Sequence, residues 1–98
     1  MYEFSATTKS LPTKVFHIWS EKYSENGVPM NAWGWAFYVG EINAEGNEVP
    51  IYDGWDTEFD VIVQYPSRYT NEKLEWIDKA GNQIDFEQFK RELENYNE

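Results

Sequence analysis

Asp56, Glu58 and Asp60 put three carboxylates at alternate positions, at the end of a stretch in which acids gather without counter-charge. From Tyr23 to Ser67 no Lys or Arg occurs, while Glu25, Glu41, Glu45, Glu48, Asp53, Asp56, Glu58 and Asp60 do. Carboxylates in this pattern attract cations, and a one-sign surface steers a basic partner toward itself without catalytic machinery. If Thr57–Tyr65 is a strand, its alternate residues lie about 6.6 Å apart on one face. That face then carries Asp56, Glu58, Asp60, Ile62 and Gln64, and the opposite one Thr57, Phe59, Val61, Val63 and Tyr65 as core.

Other chemistry finds less support. Asp53-Gly54-Trp55-Asp56-Thr57-Glu58-Phe59-Asp60 superficially resembles a hard-cation loop, but calcium needs six to eight oxygens and the EF-hand spacing of carboxylates is not met. Cys is absent, which removes thiolate metal sites and thiol nucleophiles. The one histidine, His17, alternates with Val15 and Trp19 and reads as a partly buried, satisfied side chain. No Ser/His/Asp set, phosphate-cradling Gly loop or metal motif is marked by spacing. No catalytic residue, metal or cofactor is therefore assigned.

Aromatic residues supply the apolar half of a binding surface. Trp55 follows Gly54 within the acidic run, where a turn would expose it as an anchor for a partner's Arg or Lys through burial and cation–π contact. Tyr52 is a second anchor of this kind. Along Trp33-Gly34-Trp35-Ala36-Phe37-Tyr38-Val39-Gly40, alternation puts Trp33, Trp35, Phe37 and Val39 on one side as core. Gly34, Ala36 and Gly40 lie beside Tyr38 on the other, where the C-terminal helix or another backbone can approach closely. Exposed, the Trp33/Trp35 side would instead stack a sugar ring.

The elements that must position these groups read as an α+β fold. It is a mainly antiparallel sheet of five or six strands with one C-terminal helix packed on it. Strands are expected at Lys14–Ser20, Asn31–Ile42, Asn47–Asp53, Thr57–Tyr65, Lys73–Asp78 and Asn82–Ile84. Glu21–Pro29 reads as a loop, and the polar, Pro12-containing Ala6–Thr13 as a flexible lead-in that extends over residues 1–13. The form Ile-[Asn/Asp]-x-x-Gly-Asn-[Glu/Gln]-[Val/Ile] occurs twice, at Ile42–Val49 and Ile77–Ile84. Asn or Asp opens a type I turn and Gly takes the left-handed position that closes a bulged hairpin. A helix over Thr70–Ala80 capped by Gly81 competes with the second hairpin. Pro50 has no backbone donor, so its strand belongs at an edge or at a bulge. Asp85 N-caps a helix, with Gln88 completing a capping box and Phe86, Phe89, Leu93 and Tyr96 on one face.

Charge and size narrow the function classes. The chain of 98 residues carries a formal charge of −10, all of it from residues 41–98. It makes one domain, 1–98, with a single core. The acidity opposes direct binding to nucleic acid or an anionic membrane. Met1-Tyr2-Glu3-Phe4 does not read as a secretory signal, and no apolar run reaches membrane-spanning length, so a cytoplasmic protein is expected. The expectation is a non-enzymatic binding protein that docks on a basic, nucleic-acid-binding surface of a protein partner, as a nucleic-acid mimic, phage-type inhibitor or immunity protein would. The residues assigned to the contact are Glu41, Glu45, Glu48, Tyr52, Asp53, Trp55, Asp56, Glu58 and Asp60. The alternatives are a small ligand-binding module on a Trp/Tyr face and a structural protein that forms a homodimer through the edge near Pro50.

Overall fold

The computed structural model describes residues 2–25 and 28–96, with side chains placed for 2–21 and 34–93. Its strands are β1 (Glu3–Thr7), β2 (Lys14–Glu25), β3 (Val28–Ile42), β4 (Glu48–Asp56), β5 (Trp76–Asp78) and β6 (Gln83–Ile84). Two helices accompany them, the single turn α1 (Phe59–Ile62) and α2 (Phe86–Tyr96), with a 3-10 turn at Tyr65–Arg68. All six strands are antiparallel neighbours in the order β4-β3-β2-β1-β5-β6. The fold is the expected α+β class.

Alternation decides the two faces of this sheet. Phe4 and Ala6 on β1, Phe16 and Ile18 on β2, and Trp35, Phe37 and Val39 on β3 are buried. Register brings them together, with Phe4 opposite Ile18, Ala6 opposite Phe16, Ile18 opposite Phe37 and Phe16 opposite Val39. Phe59 and Ile62 of α1 and Phe89 of α2 complete this cluster, with Phe86 and Leu93 packed against it. Burying each such side chain is worth about 1.5–3 kcal/mol. The covering elements therefore sit on this face, and α2 is held there by its apolar stripe.

Both repeated turns form as expected. Asn43 Oδ1 accepts from the backbone N–H groups of Glu45 and Asn47, and Asp78 Oδ1 from those of Ala80 and Asn82, each near 3.0 Å. Gly46 and Gly81 close them at φ of 83° and 86°, a region only Gly enters freely. Asp85 Oδ1 caps α2 by accepting from the Glu87 N–H at 2.9 Å. The reciprocal half of the capping box is not used, since Gln88 donates to Glu92 instead. β4 is an edge strand, and its register slips at Ile51, beside Pro50.

Three expectations are overturned and a fourth is trimmed. Thr57–Tyr65 is not a strand: Asp56 Oδ1 accepts from the Glu58 N–H at 2.8 Å and turns the chain into α1. The run offers two apolar sets, Phe59, Val61, Val63 and Tyr65 by alternation and Phe59 with Ile62 at helical spacing, and the helical set wins: Ile62 is buried completely while Val61 is exposed. The lead-in is shorter than read, because Ala6 and Thr7 belong to β1, between β2 and β5. Beyond it, Leu11 packs against the core and the Lys9 N–H donates to Glu72 Oε2 at 3.0 Å. Glu21–Pro29 is not a loop either, since β2 and β3 continue pairing as far as Ser24 with Pro29 and Glu25 with Val28. Asn26 and Gly27, within that expected loop, lie outside the described residues. Finally, the second hairpin forms, with β5 paired to β6, but its first strand runs over Trp76–Asp78 and not from Lys73, and the competing helix over Thr70–Ala80 is not formed.

Candidate functional site

The second face of the sheet carries no helix among the described residues. β1 contributes Glu3 and Ser5 to it, β2 Val15, His17, Trp19 and Glu21, β3 Gly34, Ala36, Tyr38 and Gly40, and β4 Glu48, Asp53 and Trp55. Cross-strand register sets them in rows. Ser5, His17, Tyr38 and Asp53 form one, and Glu3, Trp19, Ala36 and Trp55 the next. The small side chains of β3 are what allow the large ones to lie flat. A Cβ at Gly34 would collide with the Trp55 indole, and one at Gly40 with the Glu48 side chain. These glycines thus receive side chains from β4, and α2 packs on the bulky side of β3, opposite to the arrangement expected from the small residues.

Hydrogen bonds fix the polar groups. Glu48 crosses Gly40 so that its carboxylate lies 3.0 Å from His17 Nε2. Trp19 Nε1 donates to Glu21 Oε2 at 3.1 Å. The His17 and Tyr38 rings stand 5.3 Å apart, and those of Trp19 and Tyr38 6.4 Å. Partial burial, and then the Glu48 charge, push the Tyr38 phenol above its ordinary range. Negative potential therefore reaches the middle of the aromatic surface. Between Glu3, His17, Trp19, Tyr38 and Glu48 lies a cleft of about 320 Å³. Glu3 also pairs with Lys79 at 3.4 Å.

The nine residues assigned from sequence fall in three places. Glu48, Asp53 and Trp55 stand on the uncovered face, with Trp55 in β4 and not in a turn. Glu41 and Glu45 belong to the β3–β4 hairpin. There Lys14 Nζ at 2.8 Å and the Thr13 hydroxyl hold the Glu41 carboxyl below its usual range, and Glu45 lies in the exposed turn. Asp56, Glu58, Asp60 and Tyr52 lie at or beyond the covered face. Asp60 pairs with Lys90 at 2.9 Å, and Tyr52 packs among Phe37, Tyr65 and Tyr69. The expected line of three carboxylates along one strand does not exist, because its strand does not. Trp35 is buried in the core, so the Trp33/Trp35 stacking platform is not formed with Trp35; the Trp33 side chain lies outside the described residues.

Sequence reasoning passed over Glu3, Trp19, Glu21 and Tyr38 as binding residues. Their signal was the alternation Val15, His17, Trp19, Glu21 against Phe16, Ile18, Ser20, joined across β3 to Tyr38. Reading it requires the register between β1, β2 and β3, which no single segment carries. Among the described residues, no cluster of three or more His, Asp or Glu side chains is arranged to hold a metal ion, and no helix is long and apolar enough to cross a membrane. Comparison with family models, characterised proteins and solved structures finds no match.

Proposed function

We propose that this chain is a non-enzymatic binding protein that docks its uncovered sheet face on a basic surface of a protein partner. One observation carries the reading: Glu3, Glu21, Glu48 and Asp53 surround Trp19, Tyr38 and Trp55 on a face that no described helix covers. Aromatic anchors ringed by charge are the usual composition of a contact patch, with the rings supplying buried area and the carboxylates choosing the partner's sign. A basic, nucleic-acid-binding surface is the natural complement, and an inhibitor or immunity protein would use such a contact. The reading draws on Glu48, Asp53 and Trp55 from the sequence and leaves the α1 acids outside the contact. A reducing, cytosolic setting suits a chain without Cys.

The test is capture on the immobilised chain at low and high salt, followed by binding measurements with the purified partner. Charge steering predicts a basic partner whose association rate falls with salt. Reversal of the open face, Glu21→Lys with Asp53→Lys, is expected to weaken binding about tenfold or more, while Asp56→Lys with Glu58→Lys changes it by less than about twofold. Equal effects from the two pairs would overturn the reading. Val49 and Ile51, both exposed on edge strand β4, favour a second reading in which two copies pair through that edge. Light scattering across a concentration series decides it.

A further inference from the structure

The cleft on the uncovered face has a more specific chemistry than the face as a whole. Its floor is aromatic, built from His17 and Tyr38, which are cross-strand partners, and from Trp19, two residues along β2. Its two ends are carboxylates: Glu3, opposite Trp19 on β1, and Glu48, reaching in from β4. At about 320 Å³ it stands at the lower end of the ligand-pocket range of about 300–1,000 Å³, suited to one side chain rather than a drug-sized molecule. Lys79 already pairs with Glu3 at one end, so Glu48 is the carboxylate that sets the sign of a ligand here. We propose that this cleft is the receptor for one arginine side chain of the basic partner, its guanidinium lying on the Trp19 and Tyr38 rings with Glu48 as its acceptor. This deepens the docking reading and rests on it.

Arginine fits better than lysine for a physical reason. Its guanidinium is planar, weakly hydrated and able to stack on an aromatic face while its edge donates in a fork to a carboxylate. A lysine ammonium is a compact, strongly hydrated point charge that uses neither the flat floor nor the fork. Glu48 keeps acceptor capacity for this contact. A carboxylate offers about four lone-pair sites, and His17 Nε2 approaches it as a single group. Gly40 is the permissive element, because any side chain there would displace Glu48 from its path across β3.

The experiment titrates the isotope-labelled full chain with N-acetyl-arginine amide, N-acetyl-lysine amide and methyl glucoside, following the Trp19 indole N–H by NMR. The expected result is a saturable shift with the arginine probe, binding at least about threefold tighter than the lysine probe, and a loss of about fivefold or more in Glu48→Gln. Glu48→Gln keeps the shape of the side chain, and its amide spectrum reports whether the sheet is retained. Equal binding of both cations, no saturable shift at Trp19, a shift indifferent to Glu48→Gln, or binding of the glucoside alone would each overturn the proposal. The outcome is separable from that of the docking reading. If a basic partner is lost on reversing Glu21 and Asp53 while the arginine probe fails, docking stands and the arginine receptor falls. If the probe binds but no partner depends on the open face, the guanidinium site stands and docking falls.

Discussion

The two faces of the sheet use the same residue types for opposite ends. On the covered face, Phe16, Phe37, Ile18 and Val39 are wholly excluded from water, with Tyr69 and Tyr65 packed against Phe16 and Phe37. On the uncovered face, Trp19, Tyr38 and Trp55 are only half-buried, and each lies near a carboxylate or a glycine instead of under a helix. A ring under a helix gains its free energy within the fold. A ring left half-wet keeps part of that gain in reserve for whatever covers it next. The difference between the faces is thus how much apolar burial the fold itself has completed.

The sharpest way to break this comparison is to truncate one ring on each face. Phe37→Ala is expected to cost about 3–5 kcal/mol, because a fully enclosed ring leaves a cavity that the sheet cannot close. Trp19→Ala is expected to cost about 1 kcal/mol or less, since it removes a half-exposed partner of Tyr38 from a surface that water already reaches. Urea unfolding followed by far-UV circular dichroism measures both. Similar losses would mean that the uncovered face is part of the core after all.

A second test acts on the backbone of β3. Gly34→Ala puts a methyl group where the Trp55 indole lies, and the ring must swing away from the sheet. Overpacking of this kind costs about 1–3 kcal/mol in an interior, and the low end is expected here because Trp55 can move toward solvent. The measurement is Trp fluorescence with iodide quenching, compared with the parent chain. An unchanged spectrum would show that Trp55 does not rest on Gly34.

Much of this arrangement was legible in the sequence, for physical reasons that differ from element to element. The two hairpin turns were readable because Asn43 or Asp78 and a positive-φ Gly act within a few residues of each other. Helix α2 was readable because Asp85 and the spacing of Phe86, Phe89 and Leu93 are local too. The strand expected at Thr57–Tyr65 failed because so short an apolar run holds both an alternating set, Phe59, Val61, Val63 and Tyr65, and a helical pair, Phe59 and Ile62, and the cover that Phe59 and Tyr65 give Trp35 and Phe37 goes with the helical one. With that strand went the row of carboxylates at Asp56, Glu58 and Asp60. The candidate site was half legible. Glu48, Asp53 and Trp55 stood out by charge and context, while Glu3, Trp19 and Glu21 acquire meaning only from the pairing of β1 with β2.

Acid provides a test of the turns that hold the two faces in register. The Asp78 carboxyl accepts from the backbone of Asn82 and Ala80, which holds it below its ordinary range, and Lys14 with Thr13 does the same for Glu41. For such groups the unfolded chain takes up protons first as pH falls. Their contribution is therefore complete above the ordinary carboxylate value of about 4 and is lost as pH drops through the lower folded-state value. Relief of the chain's net charge of −10 acts in the opposite sense, so total stability is a poor probe. Asp78→Asn isolates the effect, since the amide oxygen can still accept from the turn but does not titrate. The expected outcome is a smaller drop in urea midpoint for this variant than for the parent between about pH 6 and pH 3. Parallel slopes would remove Asp78 from the account.

The smallest expected effect concerns the acids that the comparison assigns to neither core nor contact. Asp60 Oδ1 lies 2.9 Å from Lys90 Nζ and ties α1 to α2, but its own side chain is largely exposed. A pair of this kind is worth about 1 kcal/mol or less, because water screens it and two long side chains must be ordered to make it. Asp60→Asn should therefore lower stability by no more than that amount, and added salt should shrink the difference. If the loss instead reached the size expected for Phe37→Ala, α1 would be held by charge rather than by Phe59 and Ile62. The covered face would then owe its lid to electrostatics rather than to apolar burial, and the division between the two faces would disappear.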